Sequence, residues 1–405
     1  MAEPTPPPAS EWTAFTRRYL AADGRVIDTA NNGVSHSEGQ GYAMFFAAFF
    51  KDKPSFDRLW GWTDRNLGRR DDALFAWRFD PLARVTPVAD FNNATDGDIF
   101  IAWALLMAHE AWGNPAHFSA AQRITRDLLG SCVVQVGQRT VLLPGAAGFQ
   151  DAAGTVINLS YYAFPALRAL SHVVPDRRWA LLERDGIALI QAARFGRWHL
   201  PPDWLLVQNN SGPPIPAPQR PARFSWDALR IPLNLAWNHL DVSRFAAERL
   251  FWDDVVHAHR PPAWVDLRTG ETSPYRGHAG VQAVHALLRQ RSGASVGQYL
   301  RVDQAPDYFG ASLVLQSRIA GHMPAVEPAP SPTTAAAAPQ EAGFATWIAS
   351  MASDAIENTL EWLGLGQPEP EPPDPTGVPW ARPDIGNAAY VRGMQPGPRG
   401  LPVRR

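Results

Sequence analysis

From about residue 10 to residue 320, apolar residues recur at i, i+3 and i+4 with turn signals between the runs. This is the pattern of successive amphipathic helices. The spacing predicts helices over 11–22, 39–50, 56–67, 98–112, 119–134, 159–173, 178–195, 227–240, 243–257, 278–289 and 307–319. Two stretches, 99–108 and 159–170, are apolar nearly all round, which requires burial on both faces. An inner ring of helices covered by an outer ring meets that requirement. Only 133–143, with β-branched residues around Gly137, and 75–79, with alternating aromatics, read as short strands or irregular loops.

The pattern also divides the chain. A Pro-rich stub occupies 1–9 and the helical domain spans 10–322, followed by a Pro/Ala/Ser/Thr linker over 323–340. Beyond it Phe344, Trp347, Ile348, Met351, Ala355 and Leu363 form an apolar stripe opposite Asp354, Glu357 and Glu361, predicting one short amphipathic helix over 341–364. Its acidic polar face disfavours an anionic membrane surface. The remainder, 365–405, reads as an extended or disordered Pro-rich tail.

Composition sharpens this picture in three places. The 37 basic and 39 acidic residues give a formal charge of −2 with no Lys/Arg block, so nucleic acid is not expected as a partner. Sixteen tryptophans, most of them expected to fill the core, are compatible with stacking on the apolar faces of sugar rings. Cys132 is the only cysteine, which excludes an intramolecular disulfide and a thiolate metal site. No secretory signal and no bilayer-length apolar stretch is visible.

Candidate chemistry gathers at predicted helix starts. Ser35-His36-Ser37-Glu38-Gly39-Gln40-Gly41-Tyr42 puts a carboxylate among turn-forming residues just ahead of the apolar run 43–50. Two readings stand there: a solvated Glu favoured by the helix dipole, or a proton donor whose glycines let a large ligand approach the backbone. In Ala94-Thr95-Asp96-Gly97-Asp98, Thr95 or Asp96 is suited to cap the next helix, or Asp96 projects past the cap into a cleft. Asp227, in Phe224-Ser225-Trp226-Asp227-Ala228-Leu229-Arg230, again starts a helix, and an i, i+3 pair with Arg230 is ordinarily a surface contact worth a few tenths of a kcal/mol. If the helix N-termini share one rim, the three carboxylates converge on it.

Other chemistries do not fit. His36-x-Glu38 lacks the P-C-x-x-C of a deaminase, Asp96-Gly97-Asp98 lacks the register and closing Glu of an EF-hand, and Gly145-Ala146-Ala147-Gly148 has no Gly-Lys-Ser/Thr.

In order and spacing, 37–44, 94–112 and 226–230 resemble the three blocks of glycoside hydrolase family 8, the middle one at every defined position of the family signature. The resemblance covers about residues 10–320. It implies an all-α (α/α)6 barrel with minor β segments, and an endo-β-1,4-glucanase that cleaves cellulose-type β-glucan with inversion and without metal or organic cofactor. Carried over position by position, it makes Glu38 the general acid, Asp227 the base that activates water, and Asp96 the carboxylate that contacts the sugar at the cleavage point. Arg230 then orients the base, Trp77 is a stacking residue of the cleft, and Tyr161 and Tyr308 are aromatics near the cleavage site.

The chain departs from the family in having Leu159 and Phe309 for the usual Pro and Tyr, and Trp226 for the Tyr before the base. Within the family it is most similar to the endoglucanases that accompany bacterial cellulose synthase. That implies a periplasmic or secreted monomer associated with the synthase machinery. The alternatives are a related hydrolase acting on xylan, mixed-linkage β-glucan or chitosan, or a glycan-binding relative without catalysis. Asp227 in the base position fits the glucanase branch better than the chitosanase branch, and the presence of all three carboxylates speaks against a purely binding role.

Overall fold

The computed structural model describes residues 6–68, 70–210, 212–254, 261–296 and 300–328. Among them are eleven α-helices: α1 (Ala9–Tyr19), α2 (Ser37–Phe49), α3 (Lys53–Leu67), α4 (Thr95–Trp112), α5 (Pro115–Ser131), α6 (Phe164–Val173), α7 (Arg177–Ala192), α8 (Arg230–Trp237), α9 (Ala246–Asp253), α10 (Ala279–Arg291) and α11 (Tyr308–His322). Each predicted helix has its counterpart. The boundaries moved where local chemistry overrides periodicity. Asn114 caps α5 through the Ala116 amide, with Pro115 in its first turn, so that helix starts ahead of its apolar run. The predicted 159–173 helix is interrupted: a 3₁₀ turn, Leu159–Tyr161, precedes α6, whose first turn carries Pro165.

The helices form an (α/α)6 barrel. α2, α4, α6, α8, α10 and α11 each touch the next, and α11 returns to α2, closing an inner ring. Outside it, α3 lies on α2, α5 between α4 and α6, α7 on α6 and α9 on α10. α1 lies on α11, and its Trp12 and Phe15 pack edge-on against Phe46 of α2. Glu11 ties the ends of the ring together by accepting from the Val302 amide at 2.7 Å and pairing with Arg318 at 3.1 Å. The near-continuous apolar sequences of α2 and α4 follow from this position, since every residue of α4 from Thr95 to Ala108 is buried. Trp103, Trp237 and Phe45 meet at the centre with ring centroids 4.5–5.5 Å apart, so part of the tryptophan content is core.

Glycine sets how closely the ring closes. A Cβ on Gly41 would lie 2.9 Å from Phe100 Cβ, and one on Gly97 would lie 2.8 Å from the Glu38 amide nitrogen. The glycines of the 37–42 segment therefore admit neighbouring helices rather than ligand: Gly39 likewise faces the Tyr308 ring.

The short strands dress one end of the barrel. Val133–Val136 and Arg139–Leu142 form the hairpin expected around Gly137, which has φ of 57°. Ser35 and His36 pair with Phe79 and Arg78, fastening the 75–79 segment to the start of α2. Gly154–Ile157, Leu205–Gln208 and Ile215–Pro216 make a three-stranded sheet, and Arg223–Phe224 pairs with Val265–Asp266.

At the other end, the chain leaving α11 stays on the barrel as far as it is described. Met323 and Val326 are buried, and the carbonyls of Met323, Val326 and Glu327 accept from His239, Arg168 and His172. The expected 323–340 linker thus begins as a packed segment. Its remainder, the predicted 341–364 helix and the 365–405 tail lie outside the described residues.

Candidate active site

All six inner helices begin at the same rim, and the candidate residues other than Trp77 lie at or just ahead of those beginnings. Glu38 is the second residue of α2, Asp96 the second of α4, Arg230 the first of α8 and Tyr308 the first of α11, while Tyr161 lies in the turn ahead of α6. Asp227 is placed differently from its prediction. It sits in the turn before α8, because that turn is closed by Leu229 N to Ser225 O and Arg230 N to Asp227 O bonds, and the helix proper starts at Arg230.

Arg230 is the hub. Its guanidinium is 3% exposed. Nη1 donates to Glu38 Oε2 at 2.7 Å, to Asp96 Oδ2 at 3.0 Å and to the Tyr42 hydroxyl at 2.7 Å, while Nη2 donates to Asp227 Oδ1 at 2.7 Å. The Asp227–Arg230 pair is therefore a part-buried contact to a guanidinium shared with two other carboxylates, and not the surface pair its spacing resembles. Glu38 and Asp227 occupy opposite arms of one planar fork, so these two oxygens are at most roughly 8 Å apart given the fixed guanidinium geometry.

Each carboxylate has a distinct surrounding. Glu38, 12% exposed, accepts a second bond from the Tyr308 hydroxyl to Oε1 at 2.9 Å. Asp96, 4% exposed, does not cap its helix: Ala94 is the N-cap and has no side-chain acceptor, and Asp96 Oδ1 accepts from the adjacent Gly97 amide at 2.9 Å. Burial pushes Asp96 up to about 7; Arg230 opposes this and the charges of Glu38 and Asp227 add to it. Asp227 is 25% exposed, the most open of the three. Burial raises the Tyr42 hydroxyl far above its ordinary value, so it stays neutral beside Arg230.

The electrostatics follow from a count of charges. Three ionised carboxylates around one guanidinium and one neutral phenol leave two uncompensated negative charges in a mostly buried cluster. Retaining a proton relieves that repulsion. Such a site combines an acid with a base.

Aromatic walls complete the rim. The Tyr161 and Phe309 rings lie 5.7 and 5.8 Å from the Arg230 guanidinium carbon. Asn234 of α8 fixes the Tyr161 turn by donating to Ser160 O at 2.9 Å. Trp226 stacks on His278 at 5.1 Å with 7° between the planes. Trp77 is half-buried, stacks on His36 at 5.9 Å and donates from Nε1 to Asp90 at 2.9 Å. The Ser37 amide bonds to Trp77 O at 3.0 Å, which holds this tryptophan beside the helix start that carries Glu38.

Sequence reasoning missed several neighbours. His36 lies 3.4 Å from the Tyr308 hydroxyl and 3.9 Å from Asp28, and Tyr42 completes the Arg230 shell. Tyr42 lies one helical turn beyond Glu38, at i+4, and that spacing was the available signal. Asp98, also acidic and at the same helix start, turns away: it accepts from the Phe75 amide at 2.9 Å and Asn93 Nδ2 at 2.8 Å, and burial pushes it up to about 8.

The family model for glycosyl hydrolases family 8 matches residues 3–321. A probable endoglucanase of Novacetimonas hansenii is 42% identical over 321 residues, 79% of this chain and 92% of the relative. An endoglucanase of Cellulomonas uda is 41% identical over 276 residues, covering 68% and 76%. Among solved structures, the endo-β-1,4-glucanase CMCax from Acetobacter xylinum superposes with a TM-score of 0.73 at 42% identity, covering 77% of this chain and 97% of that one.

Proposed function

The chain belongs to glycosyl hydrolase family 8, and from that premise we propose how its rim residues divide the work of an inverting endo-β-1,4-glucanase on cellulose-type β-glucan. The observation that carries the reading is the single buried guanidinium with Glu38 on one arm and Asp227 on the other. Inversion needs two carboxyls with different duties on opposite sides of the anomeric carbon, about 6.5–9.5 Å apart so that a water fits. The upper bound of roughly 8 Å set by the fork is compatible with that window.

Glu38, protonated, donates to the glycosidic oxygen as the C–O bond breaks. It is assigned as the acid because it is the more exposed of the two carboxyls on the Nη1 arm and is oriented by the Tyr308 hydroxyl. Asp227, the most open carboxylate, takes a proton from the water that attacks the anomeric carbon from the opposite face. Asp96 accepts from the sugar hydroxyls and favours the distorted ring. Arg230 keeps acid and base in fixed relation through one rigid group, which converts positioning into rate. Trp77, Tyr161 and Tyr308 line the path of the polymer, Tyr308 also holding the Glu38 carboxyl. A polymeric β-glucan lies outside the cytoplasm, and the proposal therefore includes a periplasmic or secreted monomer that works alongside cellulose synthesis.

The test is a substrate panel of carboxymethyl-cellulose, mixed-linkage β-glucan, xylan and chitosan, with the product anomer followed by NMR. Cleavage of the cellulosic substrate with the α-anomer appearing first is expected; first appearance of the β-anomer, or activity on xylan or chitosan alone, refutes the reading. Glu38→Gln and Asp227→Asn each lower turnover by about 10²–10⁴ without loss of fold, and near-normal hydrolysis by either removes that residue from its role.

A further inference from the structure

Asp227 sits in a turn whose own backbone bonds give no acceptor to the Ser225 and Ala228 amides. Leu229, the N-cap of α8, makes no side-chain bond, and the residues flanking the Trp226-Asp227 pair, Ser225 and Ala228, are 4% and 0% exposed, so their amides have no water to turn to. The partner comes from a separate loop. Asp203, itself 9% exposed, accepts from the Ser225 amide at 3.0 Å and the Ala228 amide at 2.8 Å through Oδ1, while Oδ2 accepts from the Ser225 hydroxyl. The Asp203 amide donates in turn to Arg223 O at 2.7 Å, locking the loop to the strand that leads into the turn.

We propose that Asp203 is a positioning residue for the hydrolytic reaction: its carboxyl clamps both sides of the Trp226-Asp227 pair and fixes the direction in which the base faces the anomeric carbon. The inference rests on the reading of Asp227 as that base. Burial pushes the Asp203 carboxyl up to about 7, and the charge of Asp227 is the next contributor, which fits two carboxylates held close together. A buried carboxyl bearing three donors is also rigid, since each bond it gives up leaves an amide or hydroxyl unsatisfied. The clamp sits behind the turn and touches no Arg230 nitrogen, so it acts through Asp227 and not on the sugar.

The experiment measures kcat and KM of the full chain on cellopentaose, with circular dichroism to verify folding. Asp203→Ala removes all three acceptor contacts. It is expected to lower kcat by about 10–100-fold, the scale of an ångström-level misplacement of a catalytic group, with KM within about twofold of wild type. Asp203→Asn restores most of kcat, because its carbonyl still accepts the two amides and its NH₂ meets the Ser225 hydroxyl. Ser225→Ala, which loses only the hydroxyl contact, lowers kcat by a smaller factor and carries the test if Asp203→Ala does not fold.

The inference is overturned by an Asp203→Ala enzyme with wild-type kcat, by a parallel loss of affinity, by an Asn variant as impaired as Ala, or by a Ser225→Ala enzyme with unchanged kcat. Asp227→Asn is run alongside. Retained turnover there sinks the base assignment itself, whereas an inactive Asp227→Asn beside a fully active Asp203→Ala sinks only the clamp.

Discussion

Replacing Arg230 with Met removes the group on which the rim is organised. The guanidinium makes four hydrogen bonds of 2.7–3.0 Å to Glu38, Asp96, Asp227 and Tyr42. Stranding a charge by deleting its buried partner costs about 3–5 kcal/mol. Three carboxylates are stranded here, but Asp227 is 25% exposed and the cluster can take up protons, so a loss of about 4 kcal/mol near pH 8 is expected. For a domain of this size that corresponds to a fall in Tm of roughly 5–8 °C.

The pH dependence of that loss is the sharper test. Asp96 has a folded-state pKa of about 7, raised above its unfolded value, so its favourable contribution is fully present below the unfolded pKa and is lost as pH rises through the folded one. Arg230 opposes the rise, and its removal pushes Asp96 higher still. The gap between wild type and variant therefore widens from about pH 5 to about pH 8. Urea denaturation at the two pH values measures it. A gap that is constant or larger at the acidic end, or below about 1 kcal/mol at the alkaline end, refutes the buried-hub account. In the same samples, kcat on cellopentaose is expected to fall by at least about 10²-fold.

Three further outcomes follow from individual contacts. Trp77→Ala removes a half-buried indole from the wall next to Glu38 and should weaken cellopentaose binding by about 1–2 kcal/mol in titration calorimetry while leaving cellobiose little affected; unchanged cellopentaose affinity removes it from the cleft. Tyr308→Phe deletes the hydroxyl that donates to Glu38 Oε1 and should lower kcat/KM by about tenfold, equivalent to one hydrogen bond to a charged group, with the alkaline limb of the pH–rate profile, where the proposed acid ionises, displaced; an identical profile rules out a role for that hydroxyl in tuning Glu38. Asp98, pushed up to about 8 by burial, contributes stability that disappears as pH rises through that value, so Asp98→Asn should make stability change less steeply between about pH 4 and 8, by up to about 1.4 kcal/mol per pH unit; unaltered steepness contradicts the shift.

How much of this was legible in the chain can be seen residue by residue. The eleven helices were readable because their apolar spacing is a local property, and the double-sided burial of α4 because an all-round apolar surface admits no other resolution. Starts and stops were less readable, since Asn114, Pro165 and the 225–230 turn act through particular hydrogen bonds and not through period. The candidate site was legible through short motifs: the acidic residues at 38, 96 and 227 match the family's blocks in order, and the structure brings all three to Arg230. Asp98, two residues from Asp96, has the same local appearance and an entirely different duty. Nothing in the spacing distinguishes them, because helix rotation relative to neighbouring helices decides which carboxyl faces the rim.

The sequence by itself thus determined the all-helical class, the family and the three acidic helix-mouth segments, since these are written in periodicity and contiguous motifs. Only the tertiary structure decided that one arginine joins residues 38, 96, 227 and 42, that Gly41 and Gly97 draw two helices close enough to bring Glu38 to Asp96, and that Asp203 grips the turn carrying Asp227 from 24 residues away. The physical reason is common to all three. Each depends on closure of the helical ring, which brings distant segments within a few ångströms, and pairwise distance across a closed ring is a property that no local pattern encodes.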